Sequence, residues 1–233
     1  MSALGVYVHV PFCRRRCDYC AFATYVDRDH LMADYVEALR SDVGRGFAGS
    51  PEAASAVFFG GGTPSRLAPE DLCAVLDAIP RIGGAEVTVE CNPEDVSVAR
   101  LAAYRSAGVT RISLGAQARA PHVLESLGRH HSWAETVEAA RLVARAGFAS
   151  WNLDLIFGAA AERDSDWDDA LRGVLGLAAP PPHVSAYALT VEPGTPLARD
   201  EARHPDDDVQ AERYRRADEL LTAAGYSWEE ISN

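Results

Sequence analysis

Cys13, Cys17 and Cys20 fall within eight residues of one another, directly after an apolar run, and nothing else in the 233-residue chain restricts it as much. The loop that carries them, Pro11-Phe12-Cys13-Arg14-Arg15-Arg16-Cys17-Asp18-Tyr19-Cys20-Ala21-Phe22, holds four charged residues and is a poor candidate for core. Thiolates spaced C-x3-C-x2-C can converge on one inorganic centre, and soft sulfur favours zinc, copper(I) or an iron-sulfur cluster. A structural zinc site closes with four ligands, usually in two pairs. Neither Cys73 nor Cys91 has a cysteine or histidine beside it to supply a second pair, so the expected centre has one open corner. A disulfide framework is disfavoured by the five cysteines and by an N-terminus that enters strand-like sequence with no apolar leader.

The rest of the chain reads as repeated strand and helix units. Residues 4–10 alternate Val6, Val8 and Val10 against Tyr7 and His9, a strand that delivers the cysteine loop. Further strands are expected at 56–59, 87–91, 111–115, 152–156 and 184–189, with helices at about 28–43, 69–79, 96–106, 134–145 and 209–224. Short apolar strands separated by helices are the pattern of a buried parallel sheet. The pattern alone leaves an open doubly wound sheet and a barrel as alternatives. Residues 158–164 and 192–208 read as irregular, the second as a solvated acidic loop with a run of three Asp. The net charge of −12 argues against a nucleic-acid partner, because phosphate binding rests on Lys and Arg. No apolar run is long enough to cross a bilayer, and a cytoplasmic location is expected.

In a parallel sheet the C-terminal ends of the strands share one rim. The residues expected there are the three cysteines, the Gly60-Gly61-Gly62-Thr63 turn, Glu90, Gln117 and Asp154. The glycines permit close backbone approach to a ligand, and the Lys of a phosphate loop is absent, Thr63-Pro64 standing in its place. Glu90 and Asp154 lie in apolar strands, where a carboxylate needs a partner. Arg129 could meet a ligand carboxylate with both arms of its fork.

The cysteine loop resembles the signature of the radical S-adenosylmethionine (SAM) superfamily. Along most of its length the chain is similar to the family that unites the oxygen-independent coproporphyrinogen III oxidases with the heme chaperones of the HemW type. The resemblance implies a partial (β/α)6 barrel of parallel strands, a single core domain over 1–233 with its repeats at about 4–190, and the start of a truncated C-terminal region from 191. It implies that Cys13, Cys17 and Cys20 hold a [4Fe-4S] cluster. It also implies that Tyr7, Gly62, Thr63, Glu90, Gln117, Arg129, Asp154 and Ala188 contact SAM, matched through Val-Glu-Cys-Asn-Pro, Leu-Gly-Ala-Gln, Leu-Gly-Arg, Asn-Leu-Asp-Leu and Ser-Ala-Tyr-Ala-Leu. The chain departs from the family at Ala118, where Ser is usual, and at Gly158-Ala159-Ala160-Ala161-Glu162, where the family has Gly-Leu-Pro-Gly-Gln. Phe22 stands where the oxidases carry another cysteine, and the oxidases' N-terminal extension is missing, which points to the chaperone branch. The function so implied is delivery of heme to respiratory proteins, with porphyrinogen decarboxylation as the alternative and an acidic reductant such as flavodoxin or ferredoxin as a partner. Arg14, Arg15 and Arg16 would raise the local positive potential for it. The chaperone's His-Asn-x-x-Tyr-Trp heme motif has no counterpart here, so weak heme binding by these 233 residues is expected. A structural role is expected for His9, His130 and His131.

Overall fold

The computed structural model describes residues 4–49 and 52–230. Six strands, β1 (Gly5–Val10), β2 (Ala54–Gly61), β3 (Arg81–Cys91), β4 (Arg111–Gln117), β5 (Ser150–Phe157) and β6 (His183–Ala188), form one sheet in which every pairing is parallel. Their order in space is their order in sequence, with β1 and β6 at the two edges. That order decides between the alternatives the sequence left open. A doubly wound sheet reverses direction at a switch point, whereas a sequential order winds each crossover in one sense and collects the helices on one face, as in an incomplete barrel.

The helices are α1 (Met32–Gly46), α2 (Pro69–Ala78), α3 (Val98–Ala107), α4 (Pro121–Ser126), α5 (Trp133–Ala146), α6 (Asp164–Leu175) and α7 (Asp207–Ala223). Their ends follow local chemistry. Ser132 and Glu135 close a capping box on α5, and the Ser97 hydroxyl accepts the Arg100 N–H on α3. Gly108 and Gly147 end these helices with φ of 96° and 75°, a left-handed turn that costs glycine little.

Alternation along the strands separates two faces. Val8, Val57, Phe59, Val87, Val89, Ile112, Leu114, Leu153 and Leu155 pack with Leu72, Leu76, Leu101, Tyr104 and Trp167 of the helices in one buried core. The opposite parity carries Tyr7, His9, Thr88, Glu90, Ser113, Asn152, Asp154 and Ser185. An apolar convex face and a polar inner face therefore follow from the strand period of two.

Two sequence readings need correction. Helix α4 was not anticipated, and the helical stretch expected after the fifth strand was given no bounds, although Trp167, Ala170, Leu171 and Val174 of α6 are buried at helical spacing. Nor is the 192–208 stretch a free acidic loop. Thr195 and Leu197 are buried, the Leu197 N–H donates to the Asp18 carbonyl at 3.0 Å, and Arg203 donates to the Asp18 carboxylate at 2.7 Å. Of the three Asp, Asp206 caps α7 by accepting the Asp208 and Val209 N–H groups, and the other two occupy its first turn, where the helix dipole favours acid.

Candidate functional site

β1 ends at Val10 and the chain enters the cysteine loop, which is fixed at several points. The Cys13 N–H donates to the Tyr25 carbonyl at 2.9 Å and the Tyr25 N–H to the Pro11 carbonyl at 2.7 Å, folding the loop back on its own entry. The Asp18 N–H donates to the Leu127 carbonyl at 3.1 Å. The glycine turn after β2 supports the same entry, because the Gly62 and Thr63 N–H groups donate to the Val10 and Phe12 carbonyls at 2.8 and 2.9 Å. A Cβ on Gly62 would lie 2.7 Å from the Val10 oxygen, so only glycine fits this approach.

All five cysteines are free. Among the described residues no three His, Cys, Asp or Glu side chains are gathered as tightly as one metal ion requires. A cubane cluster asks for a wider set, since each thiolate binds a different iron. The three thiols do feel one another: burial raises Cys13 and Cys20, with Cys17 adding to the first and Cys17 and Cys13 to the second. Two donors point at sulfur, the Thr63 hydroxyl at Cys13 (3.7 Å) and Arg129 Nη1 at Cys17 (3.6 Å).

Arg129 lies beside the cysteine loop, and its fork, which the sequence offered to a ligand carboxylate, is engaged with protein. Nη2 donates to Asn92 Oδ1 at 2.7 Å and to the Gly115 carbonyl at 3.3 Å. Asn92 in turn donates to the Thr63 hydroxyl at 3.4 Å. Asn92 thus joins the ends of β2, β3 and β4, a role that sequence reasoning missed, having used Asn92 only as part of the Val-Glu-Cys-Asn-Pro match. His131 is buried and bonded to the Ala116 carbonyl at 3.0 Å; burial, then the Arg129 charge, pull its pKa down to about 4, so it stays neutral. His9 is also structural. Its Nδ1 accepts the Tyr7 hydroxyl at 3.0 Å, which leaves Nε2–H to donate to the Ala23 carbonyl at 2.9 Å. His130 is exposed and lies 3.4 Å from Arg15.

The inner face brings Glu90 and Asp154 into electrostatic contact. Glu90 is pushed up to about 7 by burial first and the Asp154 charge second, while the Gly61 N–H opposes the shift. Asp154 is raised by burial as well, against hydrogen bonds from Ser113 and Ser185. Its carboxylate accepts the Ser113 hydroxyl and the Asn152 amide, both at 2.7 Å, so the partner expected for a buried carboxylate is a hydroxyl and amide set rather than a cation. Gln117 sits at a register shift at the end of β4 with φ of 57°, a left-handed conformation uncommon for glutamine, and its buried Oε1 has no partner among the described residues. Tyr7 is 57% exposed on β1, and Ala188 ends β6 opposite Phe157.

The model of the radical SAM superfamily matches residues 7–173. The chain belongs to the radical SAM superfamily. It is 44% identical to the heme chaperone HemW of Mycobacterium tuberculosis over 98% of this chain and 61% of that protein, and 36% identical to HemW of Escherichia coli over 100% of this chain and 62% of that one. A bovine protein named for its radical SAM domain, radical S-adenosyl methionine domain-containing protein 1, mitochondrial, is 34% identical over 98% of this chain and 53% of its own length. Among solved structures, the radical SAM enzyme coproporphyrinogen III oxidase (HemN) of Escherichia coli superposes with a TM-score of 0.87 at 24% identity, covering 97% of this chain and 54% of that one, a likeness of fold. The chain spans about three-fifths of the length of the first two relatives. Members of this superfamily generally bind a [4Fe-4S] cluster and SAM, and the residues present suit both. Three free thiols share a loop with donors to two of the sulfurs, a glycine cradle adjoins them, and an orphaned glutamine oxygen lies at the same rim. Among the described residues no helix is long and apolar enough to cross a membrane.

Proposed function

We propose that Cys13, Cys17 and Cys20 each bind one iron of a [4Fe-4S] cluster, and that the rim formed by Gly62, Thr63, Glu90, Gln117, Arg129, Asp154 and Ala188, with Tyr7 on β1, receives SAM. The chemistry supplied by the bound pair is one-electron cleavage of SAM to methionine and a 5'-deoxyadenosyl radical. The chain's part is to bind and orient. Thr63 and Arg129 donate to thiolate sulfur, and such bonds stabilise the more negatively charged state of a cluster. Glu90, Gln117 and Asp154 offer acceptors to an ammonium and to ribose hydroxyls. Buried beside one another, the two carboxylates gain most from a cation brought between them. The observation that carries this reading is the trio of free thiols, two of them accepting hydrogen bonds, on a loop clamped by the glycine turn.

The biological role best supported is that of a HemW-like heme chaperone acting in the cytoplasm and passing heme to respiratory proteins. The support is the identity to HemW proteins along nearly the whole chain and Phe22 in place of the oxidase cysteine. A second reading, oxidative decarboxylation of coproporphyrinogen III, is favoured by the fold likeness to HemN. Anaerobic iron and sulfide reconstitution tests the site. Wild type is expected to take up about four irons and release 5'-deoxyadenosine from SAM under a strong reductant, and Cys17→Ala to lose both. A colourless, SAM-indifferent wild type refutes the proposal, and turnover of coproporphyrinogen III would replace the chaperone with the oxidase.

A further inference from the structure

Asp18 lies between Cys17 and Cys20, and two distant pieces of chain meet on it. The first is the turn that ends α4. The Asp18 N–H donates to the Leu127 carbonyl at 3.1 Å, and a Cβ on Gly128 would stand 2.9 Å from Asp18 Oδ1, so loop and turn are packed without slack. The second is the 192–208 stretch, whose Leu197 N–H donates to the Asp18 carbonyl at 3.0 Å. This stretch has a base of its own. Leu197 is buried with Leu124, Leu127, Ile156 and Leu189 in a second, smaller core, and the buried Thr195 hydroxyl donates to the Glu192 carbonyl at 2.7 Å and accepts the Ala198 N–H at 3.1 Å. From that base Arg203 Nη2 donates to Asp18 Oδ2 at 2.7 Å and to the carbonyl of Ser126, the last residue of α4, at 2.5 Å. One guanidinium therefore ties the cysteine loop to the end of α4, where a cation also suits the unpaired carbonyls.

We infer that Arg203 is a positioning residue for the cluster loop: by bracing Asp18 against the α4 turn it holds the Cys17 sulfur in the hydrogen bond that Arg129 donates to it. This rests on the cluster proposed above. Arg129 belongs to the same turn, because its N–H donates to the Leu124 carbonyl at 2.8 Å, and its Nη2 is fixed by Asn92 and the Gly115 carbonyl. The donor is thus immobile and the loop is the partner free to move. Its other side does not depend on Arg203, since Cys13 is held by Tyr25 and the glycine turn. Loss of Arg203 should therefore loosen the Cys17 to Cys20 turn and leave Cys13 in place. Hydrogen bonds to cluster sulfur favour the reduced state, so a slack Cys17 lowers the reduction potential of the cluster.

The brace and the cluster are tested separately. In the cluster-free chain, Arg203→Met is expected to speed amide hydrogen exchange about fivefold or more at Asp18 and Leu197, with Cys13, Gly62 and Thr63 exchanging as in wild type. After reconstitution, a redox titration without SAM is expected to show the reduced fraction of cluster, at a fixed solution potential, about three- to tenfold lower in Arg203→Met. Arg203→Lys keeps the charge but can serve only part of the fork, and it should fall between the two; it also carries the test if Arg203→Met melts too low to assay. Arg199, exposed in the same stretch, supplies the control: Arg199→Met removes a charge without touching the brace and is expected to match wild type in both readouts. In an Arg129→Met background, Arg203→Met should shift the potential little further, because both act on one sulfur. Unchanged exchange at Asp18, exchange raised equally at Cys13 and Thr63, an unchanged potential, or a full additional shift in the Arg129→Met background overturns the inference. A wild-type chain that takes up no cluster defeats the cluster assignment instead, and the exchange pattern still decides whether Arg203 braces the loop.

Discussion

Replacing Gly62 by alanine separates the geometry of this site from its composition, because no charge, ligand or hydrogen-bonding group is lost. The new methyl would stand 2.7 Å from the Val10 carbonyl oxygen and 2.9 Å from that of Phe12, both backbone atoms of the segment that leads into Cys13. Real carbon-oxygen contacts are several tenths of an ångström longer, so the turn and the loop entry must part. That stretches the bonds in which these same oxygens accept the Gly62 and Thr63 N–H groups. Overpacking of this kind costs about 1–3 kcal/mol, and a weakened hydrogen bond adds about 1 kcal/mol. For a chain of this size the sum lowers Tm by about 5–15 °C. Displacement of Cys13 relative to Thr63 is expected to lower the iron taken up per chain as well. The control is Gly83→Ala, where nothing lies within 4 Å of the added carbon, and its Tm is expected to stay close to wild type. Scanning calorimetry of the cluster-free chain and iron analysis after reconstitution check both effects. A Gly62→Ala protein that melts within about 2 °C of wild type and loads iron fully refutes the argument that the glycine turn clamps the loop.

Three further outcomes follow from other parts of the molecule. Arg213 and Glu162 form a buried ion pair at 2.7 Å, with Glu162 also accepting the Gly158 N–H at 2.8 Å. Arg213→Met strands the carboxylate and is expected to cost about 3–5 kcal/mol, much of it recovered in the Glu162→Gln/Arg213→Met double variant, as urea titration would show. Glu90 ionises in the folded chain at about 7 against an ordinary 4.5, so between these values the folded state holds a proton that the unfolded state has released. The ligand-free protein should therefore lose stability as pH rises from about 4.5 to 7, with Asp154 acting in the same direction, and Glu90→Gln should flatten that slope by up to about 3 kcal/mol; an unchanged slope in Glu90→Gln disproves the assignment. Asn92→Leu removes the acceptor for Arg129 and the donor to Thr63. It is expected to cost about 1–3 kcal/mol and to weaken SAM binding in equilibrium dialysis, whereas wild-type affinity would show that the Asn92 bridge does not position the rim.

Much of this protein is written locally. The valine alternation of β1, the apolar cores of the five later strands, Ser132 with Glu135 and the glycines at 108 and 147 are signals that act within a few residues, and the strands and most helices appear where they predict. The thiol spacing is equally local, so the cysteine loop could be recognised before any fold was known. The bounds of helix α6 were left open because its acidic first turn follows an irregular alanine-rich loop, although Trp167 and Leu171 carry a readable period. The 192–208 stretch was misread because its composition is that of a solvated loop, while its structure depends on a partner 185 residues away, the bond from Arg203 to Asp18.

What no window of sequence contains is which distant groups meet. The choice of an incomplete barrel over a doubly wound sheet lies in the order of the strands, a property of the assembled sheet. The bridging of Thr63, Asn92 and Arg129, the pressure of Asp154 on Glu90 and the neutrality of His131 arise only when separate strands are brought to one rim and water is excluded. Local periodicity fixes which residue types face inward, because the strand repeat is two. Electrostatics and hydrogen-bond partners come from proximity in space, and in this molecule that proximity is made by the parallel sheet.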